Sequence, residues 1–125
     1  MTETGAARRG LEQWRRALLA GIASDAPDLT QRQTALLLTV YLAAPPHTVR
    51  GLARALAISK PAVTRAVTTL AKHGLVRRRS DEQDRRNVLI ERTVRGAVFL
   101  SELGDRIAEA QGQPPGPAPT PGQTL

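Results

Sequence analysis

The 125 residues include no cysteine, which excludes a disulfide framework, a cysteine-ligated zinc finger and a thiol redox sensor. Aromatic residues are scarce, with one Trp, one Tyr and one Phe. Aliphatic side chains must therefore supply most of the 41% hydrophobic content, enough for the modest core of one domain. No long hydrophobic run exists. The longest uncharged stretch, Gln33 to Val49, is broken by Pro45-Pro46 and is too short for a membrane span. Glu3 and Arg8-Arg9 precede only short apolar runs, so no signal peptide is read and a soluble, cytoplasmic domain is expected. There is no G-x-S-x-G, no phosphate-cradling glycine loop and no H-E-x-x-H. The two histidines, His47 and His73, fall in a probable loop and at a helix end beside a glycine, where a histidine meets water or the helix dipole rather than a metal. Asp81, Glu82 and Asp84 cluster on a polar turn without Ca-loop spacing. Catalysis, metal and cofactor are accordingly not expected.

What is present is positive charge, formally +7, and it is localised. Residues 48–79 contain Arg50, Arg54, Lys60, Arg65, Lys72, Arg77, Arg78 and Arg79 and no acid. Every other segment is within one charge of neutral. An acid-free basic window points to an anionic partner, nucleic acid before membrane. Arginine far outnumbers lysine and alanine is frequent, a composition that fits a GC-rich bacterial genome.

Apolar spacing at Leu11, Trp14, Leu18 and Ile22 predicts a helix from Arg8 to Ser24, ended by Pro27. Thr30-Gln31-Arg32-Gln33 reads as a capping box opening a central, largely buried helix over Ala35 to Ala44, which Pro45-Pro46 stops. Thr48 caps a short helix through Leu56, with Val49, Leu52, Ala53 and Leu56 inward. Ser59 caps the next helix, 59–73, which tolerates Pro61 in its first turn, buries Val63, Val67 and Leu70, and stops at Gly74. Leu75 to Arg79 and Asn87 to Arg92 are strand-like, with the polar tip Ser80 to Arg86 between them. Thr93 caps a last helix with Val94, Val98 or Phe99, Leu103 and Ile107 inward. Residues 112–125 are rich in proline and glycine and read as a disordered tail, in which Pro114-Pro115-Gly116-Pro117 serves as linker rather than PxxP ligand. The fold class is thus mainly α with a small β-hairpin: a winged helix-turn-helix with flanking N- and C-terminal helices.

Helix 59–73 has the make-up of a recognition helix. Ser59, Lys60, Pro61, Thr64 and Arg65 lie near its N-terminus, with Thr68 one turn on, where short or forked side chains reach base edges. Its first amides favour a phosphate. Taken alone, it would pass for an amphipathic surface helix. On a strand, Arg77 and Arg79 share one side and Arg78 faces the other, so part of the triplet is expected to meet phosphates, as is Arg50. At the tip, Asp84 precedes Arg86 by two residues and is expected to orient its guanidinium in a bidentate pair, with Arg85 alongside. An arginine held that way enters a narrow minor groove. Seen singly, such a loop contributes only solubility.

Taken together, these pieces resemble the MarR family of bacterial winged-helix transcription factors. The resemblance runs from Leu29 to Leu100. It rests on Leu29-Thr30-Gln31-Arg32-Gln33, Thr48-Val49-Arg50-Gly51-Leu52-Ala53, Ser59-Lys60-Pro61-Ala62-Val63-Thr64-Arg65, Gly74-Leu75-Val76-Arg77-Arg78, Asp84-Arg85-Arg86 and Thr93-Val94-Arg95-Gly96. It implies a homodimer on pseudo-palindromic double-stranded DNA, recognition helices in successive major grooves and Arg86 in the flanking minor groove. Repression by occlusion is the family's common mode.

The expected division is 1–29 and 94–111 as helices for dimerisation, 30–93 as the DNA-binding domain with its wing at 75–92, and 112–125 as tail. Leu11, Trp14, Leu18, Leu103 and Ile107 are the candidate dimer contacts, the alternative being that this stripe finishes a monomer's core. One C-terminal helix stands where the family has two, so a thin dimer layer and less than a full-sized effector pocket are expected. A small-molecule effector is left open. A protein-interaction module on the same scaffold, with little or no specific DNA binding, is the alternative function.

Overall fold

The computed structural model describes residues 2–112. The tail read at 112–125 lies outside the described residues apart from Gly112. Five helices and one hairpin follow in the order α1 (Thr2–Ala23), α2 (Gln31–Leu42), α3 (Val49–Leu56), α4 (Lys60–Lys72), β1 (Val76–Ser80), β2 (Val88–Arg92) and α5 (Val94–Ala110).

The helix starts follow from local chemistry. Thr30 and Gln33 form the complete capping box of α2. Thr48, Ser59 and Thr93 each accept a backbone N–H three residues on, from Gly51, Ala62 and Gly96 respectively. Helix α4 ends in a Schellman arrangement, with Gly74 at φ +75° and Leu75 N–H donating to the Leu70 carbonyl at 2.9 Å. The turn between α3 and α4 places Ala57 in the left-handed region at φ 55°, which makes a two-helix unit with only Ala57, Ile58 and Ser59 between its helices.

The core is aliphatic, formed by Leu36, Leu37 and Val40 of α2, Leu52 of α3, Val63, Val67 and Leu70 of α4, with Leu75, Val76 and Ile90 at the hairpin base and Leu100 of α5. Strands β1 and β2 pair antiparallel with Val76 opposite Arg92 and Arg78 opposite Ile90. Thr48 adds an isolated bridge to Leu89, and Ile90 N–H donates to the His47 carbonyl at 2.9 Å. This stitches the hairpin to the start of α3 and completes a winged helix-turn-helix.

Helix α1 faces differently from the expected stripe, and α5 departs from its stripe in part. Helix α1 begins at Thr2 rather than Arg8, and the side it turns toward α5 is small and polar. Ala17 is buried, Gln13 donates to the Ile107 carbonyl at 3.3 Å, and Gly21 lies against Arg106. The stripe assigned to this helix points to solvent, with Leu11 71% and Ile22 76% exposed. It therefore does not finish the core of one protomer. In α5 the buried residues are Gly96, Ala97 and Leu100, whereas Val94 is exposed. Helix α2 ends at Leu42, which is also exposed, so only its inner face is buried. In α1 the close approach belongs to small residues, which leaves the large apolar ones outside, whereas in α5 Leu100 is buried and Phe99 and Leu103 pack against the core.

The only tyrosine explains the face chosen by α5. Tyr41, 2% exposed, donates its hydroxyl proton to the Leu75 carbonyl at 2.7 Å and accepts Thr93 N–H at 2.8 Å. A Cβ on Gly96 would fall on the Tyr41 hydroxyl and the Leu75 carbonyl oxygen, so this position must stay glycine. Replacing Tyr41 by Phe leaves a buried carbonyl and a buried N–H without their partner and is expected to cost about 1–3 kcal/mol. Gly96→Ala should be worse still. Denaturant unfolding checks both, and an unchanged midpoint for Tyr41→Phe would contradict the bridge.

Candidate nucleic-acid interface

The exposed side of α4 carries Lys60, Pro61, Thr64, Arg65 and Thr68, because Ala62, Val63, Ala66, Val67 and Leu70 are drawn into the core. Arg50 is exposed on α3. Ser59 is exposed, but its oxygen already accepts Ala62 N–H at 3.2 Å. Pro61 has no N–H, so the helix end offers a phosphate fewer amides than its first four residues implied. Further along, Thr68 and Thr69 donate their hydroxyls back to the Thr64 and Arg65 carbonyls.

The hairpin separates the arginine triplet onto two faces. Arg78 lies on the same side as the buried Val76 and Ile90 and reaches α4, where it bonds Thr68 Oγ1 and the Thr64 carbonyl. Arg77 and Arg79 turn to the outer side, and each donates to one oxygen of Glu91 at 2.9 Å. Both arginines are exposed, with two neighbouring cations sharing one carboxylate. Their hydrogen bonds and charge, Arg77 first, hold the Glu91 carboxyl below the usual glutamate range against a desolvation that pushes the other way.

At the tip, Asp84 and Arg86 pair, but not in the bidentate manner expected. A single oxygen, Oδ1, accepts both Arg86 N–H at 3.1 Å and Arg86 Nε at 3.2 Å. The backbone bond closes a tight turn and leaves only the Nε edge of the guanidinium in reach. The outer fork is turned to solvent, with the Arg86 side chain 91% exposed. Arg85 is exposed beside it, and Asp81 accepts Gln83 N–H to brace the same loop.

Known proteins can be set beside this geometry. A family model described as MarR family matches residues 29–88, the span from the α2 capping box into β2. Over these residues, just under half of its length, the chain matches the MarR family. Among solved structures, a point mutant of S. aureus MepR bound to an oligodeoxyribonucleotide superimposes with a TM-score of 0.76 at 21% identity, covering 90% of this chain and 80% of that one. Streptococcus pneumoniae FabT in complex with DNA gives 0.66 at 22%, over 89% and 75%. The PcaV transcriptional regulator of Streptomyces coelicolor in complex with its natural ligand gives 0.61 at 26%, over 86% and 74%. A search of curated sequences finds no match.

The layer formed by α1 and α5 also borders a groove of about 640 Å3. Trp14, Leu18, Leu38, Phe99 and Leu103 make it apolar. Arg106 adds a cation whose Nε is buried without a hydrogen-bond partner among the described residues. Leu103 and Ile107 are half-buried, beside the exposed Trp14 and Leu18. Among the described residues no cluster of His, Asp and Glu is placed to hold a metal, and no helix is long and apolar enough to cross a membrane.

Because the Glu91 pKa is lowered in the folded state, its contribution to stability is present above the ordinary glutamate range and is lost as pH falls through the lowered value. Carboxyl NMR should show Glu91 titrating below the ordinary glutamate range, and Arg77→Gln should move it up. The stability gap between wild type and Glu91→Gln should be present at neutral pH and close in acid.

Proposed function

We propose that this chain is a sequence-specific MarR-family regulator of transcription that binds double-stranded DNA as a homodimer and represses by occupying its site. The observation that carries the reading is the shared exposure of the acid-free α4 surface and the Arg86 wing tip on one rigid unit. Lys60, Thr64 and Arg65 then meet base edges in a major groove, while Ser59 mainly secures the helix start. Arg86 enters the flanking minor groove, where Asp84 limits the directions its guanidinium can take. Arg50 and Arg85 add phosphate attraction, which gives affinity and salt dependence rather than base preference. Arg77 and Arg79, turned outward onto Glu91, contribute to the general field. The MepR and FabT structures that share this fold were captured with DNA, which agrees with this use of the scaffold. A cytoplasmic location, no enzymatic activity and a division of labour between 30–93 and the flanking helices complete the reading.

The dimer is carried by the outward face of α1. Leu11, Trp14, Leu18, Leu19 and Ile22 are each at least 46% exposed, a contiguous apolar stripe that a second copy would remove from water. Leu103 and Ile107 extend it onto α5. Two copies joined there present two recognition helices, which is what a pseudo-palindromic site requires.

Selection from a random duplex library should enrich a two-fold symmetric motif. Arg65→Ala should relax preference at the major-groove positions by about 1–3 kcal/mol, and Arg86→Ala should lose discrimination between A·T and G·C in the flanks. No enrichment, alongside a stable complex with another protein, would replace this reading with that of a protein-interaction module. For the dimer, sedimentation should give two protomers for the wild type and one for a Trp14→Glu/Leu18→Glu variant of unchanged helicity. A monomeric wild type at micromolar concentration would rule it out.

A further inference from the structure

Arg78 was the member of the basic triplet that strand alternation alone set apart from Arg77 and Arg79, and its surroundings give it a separate task. Its guanidinium crosses from β1 to α4 and donates to Thr68 Oγ1, with a second, longer bond of 3.4 Å to the Thr64 carbonyl. Thr68 has already committed its own proton to that carbonyl at 2.8 Å. Its hydroxyl oxygen is therefore an acceptor for Arg78, not a donor held ready for a base edge. Thr64, Thr68 and Arg78 are all exposed, so the cation sits on an open seam between helix and wing.

The seam has a defined neighbour if α4 occupies a major groove and the hairpin tip the adjoining minor groove. Those two grooves are separated by one sugar–phosphate strand, and that strand must run between the two elements. Arg78 also stands beside the second turn of α4, behind the N-terminal residues that reach base edges. Both bonds come from Nη2, so the N–H groups of Nε and Nη1 remain to meet a phosphate.

We propose that Arg78 is the phosphate-contacting residue of the triplet and that Thr68 is a positioning residue that aims it, not a base reader. Arg77 and Arg79, facing the other way onto Glu91, leave that strand to it. The inference rests on the DNA-binding reading above and assigns the residues that hold the strand between the grooves.

The test measures affinity against salt concentration for a selected duplex and an unrelated one. Arg78→Ala should weaken both about equally, by about tenfold, and reduce the slope of log affinity against log salt by about one per protomer. Arg78→Lys, which keeps the charge, should restore most of the slope. Thr68→Val should weaken binding less, and adding it to Arg78→Ala should cause no further loss. An Arg77→Ala/Arg79→Ala variant should lose less of the slope than Arg78→Ala alone. Far-UV circular dichroism and unfolding midpoints establish that each variant is folded. An unchanged slope in Arg78→Ala, a loss confined to the selected duplex, or an equal or larger slope loss in the Arg77/Arg79 variant would overturn the inference while leaving DNA binding intact. A wild type with no salt-dependent binding to either duplex would remove the underlying reading and the inference with it.

Discussion

The hydroxyl of Tyr41 is the point on which the geometry of this protein depends. One buried oxygen bridges the Leu75 carbonyl and the Thr93 amide, and so joins α2 to both ends of the hairpin and to the start of α5. Thr93 returns a bond of its own to the Gly74 carbonyl at 2.7 Å, which closes the ring of contacts around the end of α4. Arg92 lies with its guanidinium 5.9 Å from the Tyr41 ring centre and donates to the Val40 and Ala43 carbonyls at the end of α2. The Val40 carbonyl at this helix end is thereby satisfied by the strand that leads out of the wing. The angle between wing and recognition helix follows from this knot, because both elements leave it within a few residues.

That network of contacts gives meaning to the charge. A basic window in a mobile segment would supply attraction without register. Here the same residues are held on a two-helix unit and a stitched hairpin, and the acids are few and specifically placed. Glu91 restrains the outward arginines, and Asp84 turns the tip. Arg78 remains on the inner seam, against the polar side of α4. The arrangement sorts a formally uniform basic stretch into an inward cation, an outward pair tied to a carboxylate and a projecting tip.

Local chemistry was readable from the residues alone. A Thr or Ser before each of helices α2 to α5, Pro61 in a first turn and Gly74 at a stop are determined by a few neighbouring atoms, and the structure places each of them where the residue types require. Periodicity was less reliable in α1, and in α5 it placed Phe99 and Leu103 correctly but not Val94. A stripe of Leu, Trp and Ile looks like a buried face, yet the face that α1 turns inward is set by Ala17 and Gly21, whose small size permits close approach and carries little hydrophobic signal. The role of Tyr41 could not be read at all, since its partners lie 34 and 52 positions away. Alternation correctly split Arg77 and Arg79 from Arg78. Which of the two sides met the recognition helix depended on how β1 packs, and that is a tertiary fact. The Asp84–Arg86 pair was legible in its partners but not in its geometry, because the backbone amide competes for the same oxygen.

In the proposed complex, helix and wing, locked together through Tyr41, straddle one strand of DNA in each half of a two-fold dimer. Hydroxyl-radical footprinting on a selected duplex tests this arrangement most directly, since the reagent reports protection of individual sugars. Two symmetric sets of protected sugars are predicted, centred about 10 base pairs apart, each continuing outward into a flanking minor groove. A single unsymmetrical patch, or symmetric protection without the outer minor-groove sugars, would rule out that arrangement.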